Sequence, residues 1–125
     1  MNKYGDVADQ AAQMAKNGVS PEGAWDQAVL EVFPTQESSR KKSCPRSAFL
    51  GIASEGCLNG VPKGDYTKSK KNMDYAIRAL KIVAENPSRV WNSQTLWKEL
   101  ATNKQHNSQM DVVLSLWENQ FIKYR

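Results

Sequence analysis

The pattern that most constrains this chain is helical. Between residues 69 and 86 the apolar side chains Met73, Ala76, Ile77, Leu80, Val83 and Ala84 recur at steps of three and four. That spacing lays them along one side of an α-helix and excludes the strict alternation of a half-buried strand. Asn86-Pro87 closes the stripe, because proline pushes the residue before it out of the helical region. Lys70, Lys71, Arg78 and Lys81 take the polar side.

The same spacing recurs along the chain. Residues 3–17 carry Tyr4, Val7, Ala8, Ala11, Met14 and Ala15 before Gly18, which stops the helix. Ser20-Pro21-Glu22 supplies a capping oxygen, a proline at the first helical position and an acid at the positive dipole end. The second helix is predicted to run to about Phe33, with Trp25 in the core and Pro34 as terminator. Residues 35–39 hold cap chemistry without an apolar face and read as a short solvated turn or helix. A third main helix is predicted to begin near Pro45, to turn Ala48, Phe49, Ile52 and Ala53 inward, and to end at Glu55-Gly56. Asn59-Gly60 and residues 62–65 are turn signals in a structured loop. Asn92-Ser93 caps a helix bearing Leu96, Trp97 and Leu100, and Asn107-Ser108 caps another bearing Met110, Val113, Leu114 and Trp117. The expected fold is all-α: a single-domain bundle of about six helices over residues 1–125, with a helix-turn-helix-like C-terminal hairpin.

Composition narrows the function classes. The 125 residues are 40% hydrophobic and 24% charged, with mean hydropathy -0.64, and no apolar run approaches the roughly 20 residues that span a bilayer. No hydrophobic segment of a signal peptide follows the first residues, so a cytoplasmic location without membrane association is expected. One histidine, two cysteines and the lack of a nucleotide or metal motif point away from catalysis, with no cofactor and no metal expected. His106 has no second histidine beside it with which to ligate zinc.

Charge is unevenly placed. The net charge is +4, but residues 40–71 hold eight cations against two acids, a local +6, while the rest of the chain sums to -2. Gathered on one face, such cations attract phosphate or another polyanion in a salt-dependent way. Two helix starts, at residues 43–46 and 67–71, add backbone N–H groups and hydroxyls, the chemistry by which helix N-termini bind anions. If both starts converge, Ser39, Arg40, Lys42, Arg46, Lys63, Tyr66, Lys68, Ser69 and Lys71 line one phosphate or carboxylate pocket, with Tyr66 available to stack on a base. Cys44, ahead of Pro45 and beside Lys41, Lys42 and Arg46, is the candidate reactive thiol. A helix between Cys44 and Cys57 holds the two nearly 20 Å apart at about 1.5 Å per residue, too far for a disulfide.

Three resemblances add to this reading. Residues 96–122 resemble the helix-turn-helix core of winged-helix transcription regulators, which makes Asn107, Ser108 and Gln109 the candidate base-reading residues at the start of a recognition helix. The chain departs from that pattern in lacking a wing and in placing Asp111 and Glu118 on the helix. Residues 48–58 can be laid over residues 112–122 with most apolar positions in register, an internal duplication in outline. The segments Ser38-Ser39-Arg40-Lys41-Lys42-Ser43-Cys44-Pro45, Ala48-Phe49-Leu50-Gly51, residues 61–72 and residues 106–111 resemble the signature of a family of short bacterial proteins of unknown function. Some proteins of this kind are carried on mobile elements, which implies an accessory trait.

The leading expectation is a non-catalytic binding module whose basic central segment recognises an anionic partner, nucleic acid among the candidates. The alternatives are a protein–protein interaction or homodimeric accessory protein, with Trp91 as an exposed anchor, and a small ligand-binding domain or enzyme using Cys44.

Overall fold

The computed structural model describes residues 2–124, and among these the chain forms seven helices and no strand. They are α1 (Lys3–Lys16), α2 (Pro21–Val32), the single turn α3 (Glu37–Arg40), α4 (Ser43–Ser54), α5 (Lys70–Glu85), α6 (Ser93–Glu99) and α7 (Gln109–Glu118). No helix among the described residues is long and apolar enough to cross a membrane.

Local chemistry starts most of these helices. Asn2 Oδ1 accepts the Tyr4 N–H at 2.7 Å, Ser20 Oγ accepts the Gly23 N–H at 3.2 Å, and Ser69 Oγ accepts the Asn72 N–H at 3.4 Å. Asn92 and Thr95 cap α6 reciprocally, satisfying two N–H groups that a helix start leaves unpaired. α4 begins at Ser43 rather than near Pro45. Proline is tolerated at this third helical position because its missing N–H has no intrahelical acceptor there. Cys44 therefore lies inside the first turn. Cys44 and Cys57 are not disulfide-linked.

The periodic stripes merge into one core, and its centre is α7. That helix packs against α1, α4, α5 and α6, with Met110, Val112, Val113 and Leu116 fully buried. Trp25 on α2 is also fully buried, its ring 5.4 Å from that of Phe49 on α4. Ser115 Oγ of α7 and Nδ2 of Asn119, the residue that follows it, donate to Asp9 Oδ2 of α1 at 2.7 and 2.9 Å. α6 and α7 form the C-terminal helical hairpin.

The two segments that align in the sequence also share a shape and meet. α4 and α7 both end in a left-handed residue, Gly56 (φ +77°) and Gln120 (φ +65°). In each, the next residue donates back across the last turn, Cys57 to the Ile52 carbonyl at 3.1 Å and Phe121 to the Leu116 carbonyl at 2.9 Å, the Schellman closure. The residues that follow, Leu58 and Ile122, pair as an isolated antiparallel bridge. Asn59 donates to the Phe121 carbonyl and Lys123 to the Cys57 carbonyl. The aligned positions 58 and 122 are thus direct neighbours, which ties the C-terminal residues to the loop after α4.

Trp91, the tryptophan offered as an anchor if exposed, is half-buried and packs against the core. The Arg89 guanidinium covers one face of its ring at 3.8 Å, a cation–π arrangement.

Candidate functional site

The basic segment is held in place from both sides. Arg40 Nη1 donates to the Phe33 carbonyl at 2.8 Å, where α2 ends, and the Tyr4 hydroxyl donates to the Ser39 carbonyl at 3.0 Å. These bonds fix α3 and aim the next residues outward. Lys41 pairs with Glu37 at 2.7 Å on the surface, a contact worth little in water. Lys42 has extended backbone and leads straight into α4, and no side chain caps that helix start. With Pro45 lacking an N–H, the backbone groups left at the α4 terminus are those of Ser43 and Cys44.

A hollow of about 300 Å³ opens there, lined by Ser38, Lys41, Lys42, Ser43, Cys44 and Asn107. Asn107 arrives from the loop between α6 and α7, and that loop is anchored by its neighbours. The Asn107 N–H donates to Gln109 Oε1 at 2.6 Å. Gln109 is only 3% exposed, and its Nε2 donates to Asn72 Oδ1 at 3.1 Å. Asn72 Nδ2 donates in turn to Ser69 Oγ at 3.1 Å, at the start of α5. A chain of side-chain amides therefore connects the start of α5 to the residue that walls the hollow at the start of α4.

His106 holds the other end of the loop. Ser108 adopts a left-handed conformation (φ +67°) and its side chain caps nothing, contrary to the cap expected from Asn107-Ser108. Instead His106 Nε2 accepts the Met110 N–H at 3.1 Å, with the imidazole 5.2 Å from the Trp97 ring. Nε2 is thus unprotonated, with the proton on Nδ1, and Asp111, 4.0 Å away, lies beyond hydrogen-bond distance. Burial lowers the His106 pKa below its ordinary 6.5, and the Asp111 carboxylate opposes this only in part.

A group with a depressed folded pKa contributes stability that is complete above its unfolded value and is lost as pH falls through the lowered one. Wild-type protein is therefore expected to lose more denaturant stability between pH 8 and pH 5 than His106→Gln, whose amide oxygen accepts the same N–H without titrating. Asp9 contributes with the opposite sign: burial raises its pKa, against hydrogen bonds from Ser115 and Asn119 that lower it. The difference between the two proteins isolates the imidazole. Equal losses in both would exclude His106 as the source.

Three separated pieces of sequence, residues 38–44, 69–72 and 106–109, thus build one corner of the bundle, and they lie within the segments that carried the family resemblance. Over residues 1–123 the chain matches a family of unknown function. The chain belongs to DUF6979. No curated protein and no solved structure matches it.

In this DUF6979 chain the other candidate residues are placed differently from the single pocket expected of them. Arg40 is spent on the Phe33 carbonyl, and Arg46 on Asp26, at 3.0 and 3.4 Å. The Tyr66 hydroxyl donates to the Pro62 carbonyl at 2.7 Å, and its ring lies so close over Gly64 that an added Cβ would come within 2.7 Å. The ring face over Gly64 is thereby closed to a stacking base. Lys63 lines a separate hollow of about 390 Å³ with Lys123 and Tyr124, and Lys68 lines a third with Glu22 and Asp65. Lys71 is exposed on α5, Ser39 is half-buried in α3, and Ser69 is occupied as the α5 cap. The helix packing explains the dispersal. Gly51 touches Met73, so α5 begins beside the far half of α4, about 12 Å along the axis from Ser43 at 1.5 Å per residue.

The base-reading set also separates. Asn107 is exposed and Ser108 half-buried, but Gln109 is buried and bonded at both ends of its amide. α7 packs against four helices, and at its start Gln109 and Met110 are buried, whereas a recognition helix needs its first turn free to enter a groove. The residues missed at the sequence level are Ser38, Lys41 and Ser43. They adjoin Lys42 in the same run, so adjacency was the available signal. Nothing local marked Asn107 as their neighbour.

Proposed function

We propose that the protein is a non-catalytic binding module that takes an anionic group, a phosphate or carboxylate, into the hollow at the start of α4. The observation that carries this reading is the lining itself: two ammonium groups, two hydroxyls, a thiol and a primary amide, with no carboxylate among the six residues. Every one of them can donate a hydrogen bond. The uncapped N–H groups of Ser43 and Cys44 add the positive end of the helix dipole. Lys42 has no ion-pair partner among the described residues and supplies the free charge. Lys41, already shared with Glu37, reinforces the field.

The surrounding +6 of residues 40–71 favours a partner that carries several phosphates, and nucleic acid is the class to test first. Fluorescence anisotropy with labelled DNA and RNA, and calorimetry with inorganic phosphate, at low and high salt, provide that test. Saturable binding that weakens as salt rises is expected. Lys42→Glu is expected to reduce affinity at least tenfold, since a charge-assisted hydrogen bond contributes about 1.5–3 kcal/mol and about 1.4 kcal/mol is a factor of ten. Binding that is absent, or unchanged in Lys42→Glu, would overturn the proposal.

A further inference from the structure

Along the C-terminal half of α7 the bundle presents a second feature, built from different residues. A groove of about 260 Å³ runs between the end of α5, the loop after it and α7, with Val83, Pro87, Trp91, Leu114 and Trp117 along it. With Val90 included, two indole rings, a proline and three aliphatic side chains line the groove. Val90 lines the same groove yet is 94% exposed, far above Leu30 at 55% and Val19 at 39%. A single exposed valine requires no explanation. A valine projecting from the rim of a tryptophan-lined groove is different, because it sets an apolar knob beside an apolar hollow on one face.

Two charges complete the face. Arg89 and Glu118 both line the groove, and neither forms an ion pair or a side-chain hydrogen bond with any described residue. Arg89 is held over the Trp91 ring at 3.8 Å, and its guanidinium N–H donors form no hydrogen bond within the described residues and remain free for a planar acceptor. The face thus carries one projecting knob, one groove, one unpaired cation and one unpaired anion.

We propose that this face binds a second copy of the chain across a two-fold axis. In an isologous contact the same patch must serve as both donor and receiver, so each feature requires its complement on the same surface. Here both complements are present: Val90 of one protomer enters the groove of its partner, and Arg89 of each faces Glu118 of the other, so that every contact is made twice. A partner of uniformly acidic or basic character would leave one of the two charges unmatched against it. The charge pattern therefore fits a second copy, which brings both complements at once, and disfavours a partner of a single charge sign. The contact uses no residue of the hollow at α4 and is independent of the anion-binding reading.

Sedimentation equilibrium of the full chain, from micromolar to near-millimolar concentration, tests the proposal. Wild-type mass is expected to rise from one chain to two. Val90→Asp, at a position that contributes nothing to the core, is expected to remain monomeric throughout. Arg89→Glu and Glu118→Arg each set like charges against one another at two symmetric places and are expected to raise the dimer dissociation constant at least about tenfold. The double variant Arg89→Glu/Glu118→Arg restores the complement and is expected to regain most of the wild-type affinity. Circular dichroism establishes that each variant is folded. A wild-type protein that stays monomeric over the whole range would overturn the proposal and leave the groove to a different occupant. A dimer indifferent to Val90→Asp and to both single charge reversals would overturn it as well, by placing the interface elsewhere.

Discussion

Gly51→Ala is expected to destabilise the protein by about 2 kcal/mol, despite introducing a better helix former into the middle of α4. A Cβ at this position would sit 2.7 Å from Met73 Cα, 2.8 Å from its Cβ and 2.9 Å from its Cγ. The nearest of these atoms is backbone and cannot swing away, so α4 and α5 must separate to admit one methyl group. Overpacking of a close-packed interior costs about 1–3 kcal/mol, and a clash against backbone belongs at the upper end. The intrinsic gain of alanine over glycine in a helix is about 1 kcal/mol, which leaves the net loss stated. Urea denaturation measures it directly, and a variant as stable as wild type would mean that the two helices have room to part. The effect should also reach the candidate site. Ser69 and Asn72 at the start of α5 hold Gln109, and Gln109 holds the Asn107 loop, so a displaced α5 loosens one wall of the hollow.

Trp25→Ala is the most damaging single truncation expected, about 4 kcal/mol. Trp25 is completely buried and packs on Phe49, so the substitution removes the largest side chain in the core and leaves a cavity between α2 and α4. That loss is a large part of the 5–15 kcal/mol by which domains are ordinarily stable, and a fall in melting temperature of roughly 15 °C follows. Trp25→Phe provides the control. The indole Nε1 is buried without a hydrogen-bond partner, so its removal sacrifices no bond, and the cost should fall to about 1–2 kcal/mol. If the alanine and phenylalanine variants melt together, the packing of the indole is not what Trp25 contributes.

Much of the fold was legible before any coordinates. The caps at Ser20 and Asn92 and the stops at Gly18 and Gly56 came through within a residue or two, and the α5 stripe did so in part: Ala76, Leu80 and Val83 are buried as expected, joined by Tyr75 and Ala79 rather than by Met73 and Ile77. Even the register between residues 48–58 and 112–122 carried spatial meaning, since Leu58 and Ile122 pair. The departures are equally specific. α4 starts two residues early because proline needs no acceptor in a first turn. The cap of α7 comes from His106 rather than Asn107 or Ser108, because the left-handed Ser108 redirects the chain and brings the imidazole over the Met110 N–H.

The candidate site was legible only in part. The composition of residues 38–44 exposed its chemistry, and Lys42 and Cys44 were picked out there. Arg40 and Arg46 looked equally available, and what removed them were partners on α2, the Phe33 carbonyl and Asp26. Tyr66 is held elsewhere, by a carbonyl four residues away and by the close approach that Gly64 permits, and it lines a different hollow. A sequence displays which groups can donate but not which acceptors the packing will bring to them.

What the amino-acid order alone determined is the set of helices and the faces they bury, because periodicity and end-capping are interactions among residues within one or two turns of each other. Which cations end up free, and that Asn107 rather than Lys63 or Lys68 stands beside Lys42, was decided by the tertiary structure. Those neighbours follow from how helices cross, and one approach, Gly51 against Met73, sets the positions of residues far from either in the chain.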